Sequence, residues 1–460
     1  MSKFIWMHGA LALAMSMPFP AQAASDADLA EIREQIRQLK ESYEARIQAL
    51  EQKLKDAETA KSAPAAAAPA PPVAAALPAT SSASGIAAFN PAISAVLQGR
   101  YANLSQDPSK FAIGGFAPGG DIGPGRRGFS LSESELAISA SVDHLFAGNL
   151  IVSLTPENTV SVEEAYGIYT AAPYGLVPKF GRFFSGLGYM NEQHQHAWDF
   201  IDAPLAYQAF LGGQYANDGL QVKWVAPTDQ FLELGAEVGN GDNFPGSMRN
   251  KNGVGSGVIY GHTGGDIGAS HSWRAGLSYL QTRAQDREYT QLDLAGNNAQ
   301  VGFNGTSHVA VADFVWKYAP NGNALQTNFK VQGEYFWRRE NGDFTYDVDG
   351  ALHLTNTSAY TSRQSGWYLQ GVYQFMPYWR VGARYDRLDP GHVDYGTNAA
   401  YLDAPAFHPE RSTLMLDYTP SEFSRIRLQY GQSKTQAGMT DNQLFLQYIL
   451  TMGAHGAHKF

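Results

Sequence analysis

The chain has 460 residues, no cysteine and a formal net charge of -10 at pH 7. The lack of cysteine excludes disulfides, thiolate zinc sites and thiol catalysis, and the acidic balance argues against nucleic acid as a partner. Apolar residues make up 44% of the chain, and glycine is frequent, with 47 residues. This composition is too polar for a bundle of membrane helices. It is typical of a membrane β-barrel, in which only one face of each strand meets lipid.

The N-terminus has the features of a signal peptide. Lys3 precedes a mostly apolar run over 4–19, and Ala-Gln-Ala at 21–23 forms an A-x-A cleavage site. We therefore predict a signal peptide over 1–23 and a mature protein in the cell envelope. An uncleaved anchor is the alternative, which is disfavoured because the apolar run is short for a membrane helix.

Residues 24–58 carry the pattern of a charged helix with one narrow apolar seam. The seam positions are three or four residues apart, as in a heptad repeat, with one stutter between Tyr43 and Ile47. We predict a periplasmic coiled coil that joins three copies of the chain; a single solvated helix is the alternative. The predicted seam residues are Leu29, Ile32, Ile36, Leu39, Tyr43, Ile47, Leu50 and Leu54.

Residues 59–89 are rich in Ala, Pro and Ser. Pro-rich chain is extended and semi-rigid, whereas a Ser- and Gly-rich end is flexible. We predict that this stretch is a linker between the coiled coil and the rest of the protein.

Residues 90–460 alternate between apolar and polar side chains in runs separated by Gly-, Asn- and Asp-rich connections. Backbone groups in lipid must all be hydrogen-bonded, which without long apolar helices requires a closed barrel. The runs predict an all-β transmembrane barrel of about sixteen antiparallel strands in the outer membrane, with both ends in the periplasm. Short turns alternate with long outer loops, predicted at 104–127, 186–218, 240–253, 285–307, 340–364 and 389–410.

Charged side chains fall on the inward phase of several predicted strands, and a barrel of this size leaves a wet channel. Because a pore wall rich in Arg and Lys favours anions, an anion preference is predicted. The alternative is that these arginines pair with carboxylates on neighbouring strands and only hold the barrel in shape. The predicted pore-lining residues are Arg380, Arg384, Arg425, Arg427, Lys330, Asp386 and Glu334, with Arg274 as a weaker member.

The predicted loop 186–218 contains too many apolar residues for a solvated outer loop, Phe200 and Phe210 among them. We predict that it folds into the lumen and narrows the pore. Packing against a neighbouring subunit, or over the barrel mouth, is the alternative. The predicted constriction residues are His194, His196, Trp198, Asp199 and Asp202.

The same loop is the candidate metal site, because His194 and His196 are two residues apart with carboxylates nearby. Imidazole and carboxylate together suit zinc. The H-x-H pattern is a weak signal, since structural zinc sites have four ligands, and hydrogen-bonded imidazoles in a polar loop are the alternative. His455 and His458 form a second pair near the C-terminus. Apart from this zinc hypothesis, no cofactor is predicted.

The sequence has few signatures of catalysis. The chain has no G-x-S-x-G elbow, no H-E-x-x-H and no P-loop lysine. The carboxylate pairs Glu163-Glu164 and Glu133/Glu135 are interpreted as pore charges. We therefore do not predict an enzyme.

The order of signal peptide, short coiled coil, Ala/Pro spacer and barrel resembles trimeric sixteen-strand porins of the DcaP-like type. Two stretches, 365–371 (Ser-Gly-Trp-Tyr-Leu-Gln-Gly) and 380–386 (Arg-Val-Gly-Ala-Arg-Tyr-Asp), are also similar to the phosphate-selective porins O and P. Residues 89–94 and 186–194 resemble proteins labelled zinc-regulated or TonB-dependent outer membrane receptors. The resemblance implies a trimeric channel, since a TonB-dependent receptor of about twenty-two strands with a plug needs a longer barrel segment.

Three functions follow from these patterns. The leading one is an outer-membrane porin for diffusion of small polar solutes, anions in particular. Its predicted partners are membrane lipid, lipopolysaccharide and two further copies of the chain. The alternatives are a metal-linked, zinc-related receptor or binding protein, and a structural tether of the envelope.

Overall fold

The structure is a computed structural model, and it describes residues 91–453. The predicted signal peptide (1–23), coiled coil (24–58) and linker (59–89) lie outside the described residues, as do His455 and His458. These assignments stay predictions.

Seventeen strands make up one sheet within the described residues. Their bounds are β1 Ala92–Leu104, β2 Gly128–Leu131, β3 Ser134–Ser141, β4 Phe146–Leu154, β5 Val160–Tyr169, β6 Leu176–Phe184, β7 Ala216–Val225, β8 Phe231–Gly239 and β9 Ser256–Ile267. The remaining strands are β10 His271–Leu292, β11 Asn298–Tyr318, β12 Asn328–Tyr346, β13 Asn356–Met376, β14 Trp379–Asp394, β15 Glu410–Ser421, β16 Ser424–Gln436 and β17 Met439–Gly453.

The sheet closes on itself as an antiparallel barrel. Consecutive strands pair with one another, and β1 pairs with β17 from Ser94 opposite Gly453 to Leu104 opposite Gln443. Both β2 and β3 pair with β1, so they are two parts of one strand position in the barrel wall, interrupted at Ser132 and Glu133. We call each such position a stave. The barrel therefore has sixteen staves, which confirms the predicted fold class and strand number for this part of the chain.

Side chains alternate between the two faces of each stave, as the sequence pattern predicts. On β16, Ile426 and Leu428 are exposed on the outer face, whereas Arg427 and Gln429 are buried on the inner face. The same alternation on the other staves gives the barrel an apolar exterior and a polar interior.

The prediction of long outer loops at 285–307 and 340–364 is wrong. Strands β10 and β11 are connected by residues 293–297, and β12 and β13 by residues 347–355. The polar composition suggested loops, but the inward residues of these stretches form a second apolar cluster that supports extended chain. Its members include Val301, Phe303, Phe344, Tyr346 and Tyr360.

Helical structure in the described residues is limited to short pieces. The one α-helix, α1, spans Leu205–Leu211. Single turns of 3-10 helix lie at Pro108–Lys110, Pro173–Gly175, Gln195–Ala197, Pro320–Gly322 and Gly396–Ala400. Over residues 91–453, no helix combines the length and the hydropathy that a bilayer-spanning helix needs.

Candidate functional site

The stretch between β6 and β7, residues 185–215, crosses the barrel interior; we call it the inward segment. Its helix α1 contacts β12, β13 and β14. In the order of the staves, β14 lies eight places from β6 in a barrel of sixteen, which is the opposite wall. A connection that leaves β6 and touches β14 therefore spans the lumen.

The local sequence accounts for this path. Pro204 precedes α1, and Gly212 ends it at a φ of 67°, a left-handed conformation that suits glycine. All seven residues of α1 are buried. Tyr207 and Phe210 lie against Phe336 of β12, with ring centroids 5.0 and 5.8 Å apart. The apolar content that makes 186–218 unsuitable as an outer loop is thus buried in the lumen.

Two aspartates of the inward segment meet basic side chains of the wall. Asp199 lies 2.5 Å from Lys330 and 3.4 Å from Arg380. Asp202 pairs with Arg384 at 2.9 Å and also with Arg411. These residues belong to β12, β14 and β15, so several staves hold one segment.

The two carboxylates stay ionised although they are buried. Burial raises the pKa of Asp199, but Lys330 and Arg380 outweigh it and leave that pKa well below its usual value. Burial likewise raises the pKa of Asp202, but Arg411 and Arg384 outweigh this effect, and the resulting pKa is about 2. Both contacts are therefore ion pairs at neutral pH.

Two of the predicted pore-lining arginines, Arg384 and Arg427, are buried and do not line open space, whereas Arg380 borders the cavity described below. The guanidinium of Arg384 also pairs with Asp386 at 3.0 Å. Arg427 pairs with Asp417 at 2.7 Å, and Arg380 reaches the same carboxylate at 2.6 Å. All three arginines therefore pair with carboxylates of the wall, and their part in ion selectivity stays a prediction.

Glu334, a predicted pore-lining residue, is buried between the wall and the inward segment. Its carboxylate accepts hydrogen bonds from the hydroxyls of Tyr207 (2.9 Å) and Tyr368 (2.6 Å) and from the backbone N–H of Tyr189 (3.0 Å). It fixes the beginning of the inward segment to β12, and it is fully enclosed by these partners.

Arg425 remains open to the lumen. Its Nη1 donates to the carbonyl oxygens of His196 and Trp198 at 3.3 and 3.4 Å, whereas its Nε has no hydrogen-bond partner within the described residues. The nearest carboxylate, Asp417, is 3.9 Å from Nε. Trp198 itself is buried, and its indole N–H donates to the carbonyl of Gln193 at 2.8 Å.

The histidines of the inward segment meet an acidic part of the wall. His194 Nδ1 lies 2.9 Å from Glu163 and 3.4 Å from Glu135, and its Nε2 lies 3.1 Å from Glu164. His196 Nδ1 lies 2.8 Å from the other oxygen of Glu135. Burial lowers the pKa of His194, but the bonds to Glu163 and Glu164 and the charge of Glu135 raise it well above its usual value overall.

A cavity of about 1320 Å³ lies on one side of the inward segment, at the end of the barrel with the short turns. His194, His196 and Asp199 form part of its lining. Most of its basic residues lie on the staves β10 to β16, and most of its acidic ones lie on β3, β5, β8 and the inward segment. The basic lining residues include Arg274, Lys317, Lys330, Arg380 and Arg425, with Lys223 of β7 beside the acidic ones and 2.5 Å from Glu192, and the acidic lining residues include Glu135, Glu164, Glu192 and Glu233.

Sequence reasoning missed three parts of this site: Lys317, Arg411 and the grouping of the glutamates around the histidines. Glu135 lies on β3 and Glu163 and Glu164 on β5, with only β4 between the two strands. Glutamate pairs on two nearby strands were a usable signal, but Glu163 and Glu164 are consecutive, and both face the interior because a register shift between β4 and β5 leaves Glu163 as an extra residue. The sequence does not show the path of the inward segment, which brings His194 to these glutamates.

Comparisons with known proteins give one relative and a set of similar folds. No family model matches the chain. An uncharacterized protein of Aquifex aeolicus (strain VF5) is 32% identical over 359 residues, which cover 73% of this chain and 71% of that protein.

Three similar solved structures have low sequence identity to the chain. The outer membrane channel DcaP of Acinetobacter baumannii is 16% identical with a TM-score of 0.48, covering 80% of this chain and 98% of that one. An anion-selective porin from Comamonas acidovorans is 11% identical with a TM-score of 0.48, covering 79% and 100%. The outer membrane protein OmpT of Vibrio cholerae, in a trimer form, is 12% identical with a TM-score of 0.48, covering 79% and 100%. By its sequence, the chain belongs to the same protein family as the uncharacterized Aquifex aeolicus protein.

Proposed function

We propose that this protein is an outer-membrane porin through which small polar solutes, anions in particular, diffuse. The observation that carries the proposal is the closed barrel with an apolar exterior and a polar interior. Leu220, Ile259, Leu277 and Leu414 are between 57% and 70% exposed on its outer face. An apolar surface that encircles a protein is stable where lipid covers it.

Aromatic pairs support a lipid-covered belt of limited height. Phe329 packs against Trp316 near the short turns, and Tyr335 packs against Trp337 further along β12. Eight residues separate Phe329 from Trp337, which on a strand tilted by about 40° corresponds to roughly 20 Å of height. Interfacial aromatic girdles are spaced in this way, so the upper parts of the long strands lie beyond the membrane in this proposal.

The inward segment is the proposed constriction. It crosses the lumen, and ion pairs hold it on the basic side at Asp199 and Asp202. A solute that enters from the end with the short turns meets the cavity of about 1320 Å³ first and the segment next.

The anion preference is assigned to the cationic residues that border this cavity. Arg384 and Arg427 are neutralised by buried aspartates, so they contribute little field to the open space. Arg425 has the weakest carboxylate contact of the group, at 3.9 Å from Asp417. Lys330 and Arg380 share Asp199 between them. Low-dielectric walls strengthen the field of such cations in the lumen.

Trimer formation is proposed from the sequence pattern of residues 24–58. Deleting residues 25–58 is expected to reduce the trimer band on unheated gels, because three barrels lose the helical seam that joins them. Unchanged trimer yield after this deletion would reject that role for the coiled coil.

The functional test is reconstitution of the full chain into planar bilayers. We expect ion conductance, and a reversal potential in a potassium chloride gradient that shows more chloride than potassium passing. A panel of small organic acids added to one side then ranks the solutes by their block of the current. Correctly folded protein without conductance would contradict the channel and favour the structural tether.

A further inference from the structure

The contacts of His194 differ from those of an ordinary buried histidine. One oxygen each of Glu135 and Glu163 and one ring nitrogen of His194 all lie within 4.8 Å of one another. The three residues come from β3, β5 and the inward segment, which are separated by up to about sixty positions in the sequence. This convergence is a product of the tertiary structure.

The spacing of these atoms matches a metal coordination sphere. His194 Nδ1 is 2.9 Å from Glu163 Oε2 and 3.4 Å from Glu135 Oε2. Two ligand atoms bonded at about 2.1 Å to a tetrahedral zinc ion lie roughly 3.4 Å apart. A single ion placed among the three atoms therefore needs only small movements of the side chains.

The second ring nitrogen of His194 is held as it is in metal sites. Its Nε2 lies 3.1 Å from Glu164 Oε2, and Glu164 in turn accepts the backbone N–H of Phe184 at 3.1 Å through its other oxygen. A metal-bound histidine almost always donates its other N–H to such a partner, which orients the ring. Glu164 is thus a positioning residue for His194.

The charge balance of the cluster also points to a cation. Glu133 shares a hydrogen bond with Glu163, which requires a proton on one of the two, so three charged carboxylates remain among the four glutamates around the two imidazoles. In residues 91–453, Glu135, Glu163 and Glu164 each pair with histidine. Burying several carboxylates around two imidazoles is costly, and a divalent ion that replaces the proton on His194 Nδ1 adds one further positive charge to the cluster.

We propose that Glu135, Glu163 and His194 bind one divalent transition-metal ion, zinc being the probe that suits their ligand set. A mixed nitrogen and oxygen donor set favours such an ion over calcium or magnesium, which take oxygen ligands. Three protein ligands leave a coordination position for water. Glu135 and His194 line the cavity, so the ion and its water are reached from there.

The bound ion links the inward segment to β3 and β5, opposite the ion pairs that hold it to β12, β14 and β15. This inference depends on the ligand geometry alone. Metal binding tests it directly, whether or not the barrel conducts solutes.

The test is a zinc titration of the full chain, folded in detergent and freed of metal with a chelator, followed by calorimetry. Wild-type protein is expected to bind one zinc ion per chain in the barrel. Glu163→Gln removes a ligand while it keeps every histidine, including those of the C-terminal tail, and is expected to weaken this binding by at least about 10-fold. Glu164→Gln keeps all three ligands and is expected to weaken it by about 10- to 100-fold.

Cobalt absorption gives a second measurement that folding defects do not imitate. Cobalt in a tetrahedral site with one nitrogen ligand is expected to give visible bands in the wild type, and these bands are expected to be lost in Glu163→Gln. His262→Gln is the matched control, because it removes another buried imidazole that contacts a single carboxylate, Glu233, at 3.1 Å. Folding of each variant is checked by its heat-modifiable mobility on gels.

Two results would overturn the proposal. One is wild-type protein that takes up no zinc. The other is Glu163→Gln that is folded and binds zinc with the affinity of the wild type, because binding would then reside elsewhere, for example in the tail histidines.

Discussion

The inward segment is held on two sides by opposite chemistry. On one side, Asp199 and Asp202 meet lysine and arginine of β12, β14 and β15. On the other, His194 and His196 meet glutamates of β3 and β5. Charges of opposite sign within 194–202 give the segment one orientation across the lumen, since reversing it would bring like charges together.

The two sides differ in how completely their charges are balanced. Each aspartate on the basic side contacts two cations, and the cations beneath them have further carboxylate partners. On the acidic side four glutamates face two imidazoles. The comparison indicates that the basic side fixes the segment permanently, whereas the acidic side has spare capacity for a cation.

The largest effect is expected from Asp202→Ala. The change leaves Arg384 and Arg411 buried beside the segment with one carboxylate partner, Asp386, between them. Breaking a buried pair costs about 3–5 kcal/mol, so the segment should leave the basic wall, and single-channel conductance should rise and become noisy.

Asp389→Ala is the control for that experiment, because the carboxylate of Asp389 is exposed, lies 3.6 Å from the exposed His408 and accepts the backbone N–H of Gly391 at 2.9 Å, away from the inward segment. Conductance of Asp202→Ala equal to that of the wild type would show that the ion pairs on the basic side do not hold the segment.

Opposite substitutions on the two sides of the cavity should shift ion selectivity in opposite directions. Arg425→Gln removes a cation and should move the reversal potential toward the equilibrium potential of potassium. Glu233→Gln removes an anion and should move the reversal potential toward the equilibrium potential of chloride. Arg387→Gln, at an exposed arginine 3.6 Å from Glu410 on the outer part of the barrel, is the control. Shifts of the same sign for both cavity variants would contradict a division into basic and acidic sides.

A smaller effect is expected when the acidic side loses one carboxylate. Glu163→Gln in the presence of chelator keeps Glu135 and Glu164 on the histidines. The docking free energy should change by less than in Asp202→Ala, because His194 keeps two carboxylate contacts, and mean conductance should match the wild type. An opened channel in this variant would make the acidic side an equal partner in holding the segment.

The smallest effect is expected from mild acid. The pKa of Asp202 is lowered to about 2, because Arg411 and Arg384 outweigh the effect of burial. A carboxylate with a depressed folded-state pKa contributes its full stabilisation above its unfolded value of about 3.9 and loses it as the pH falls through the folded value.

His194 stays protonated on acidification because its pKa is already raised. Conductance should therefore be steady from pH 7 to about pH 4 and rise only near pH 2. Opening of the channel at pH 5 would contradict the assigned pairing of Asp202.

The barrel was largely predictable from the sequence, and the reason lies in a local rule. A stave between lipid and water must alternate, so Ile426 and Leu428 against Arg427 and Gln429 can be assigned from their order alone. The predicted outer loops 285–307 and 340–364 failed because above the apolar belt the strands are supported by an internal cluster around Phe303 and Phe344. That support comes from residues far apart in the sequence.

The candidate site was predictable only in parts. The apolar residues of 186–218 indicated burial, and His194, His196, Asp199 and Asp202 were the right polar residues to single out. Their partners were not predictable, since Asp202 and Arg411 are 209 positions apart and Glu334 and Tyr207 are 127 apart. Arg384 and Arg427 carry the same inward pattern as Arg425, yet only Arg425 faces the cavity.

The sequence by itself determined the stave pattern, the number of staves and the presence of an interior too polar to be a packed core, because alternation acts between neighbouring residues. The tertiary structure alone decided which charges neutralise one another and which face the open cavity. That outcome depends on where one connecting segment crosses the barrel, and its position is set by contacts with staves on both walls.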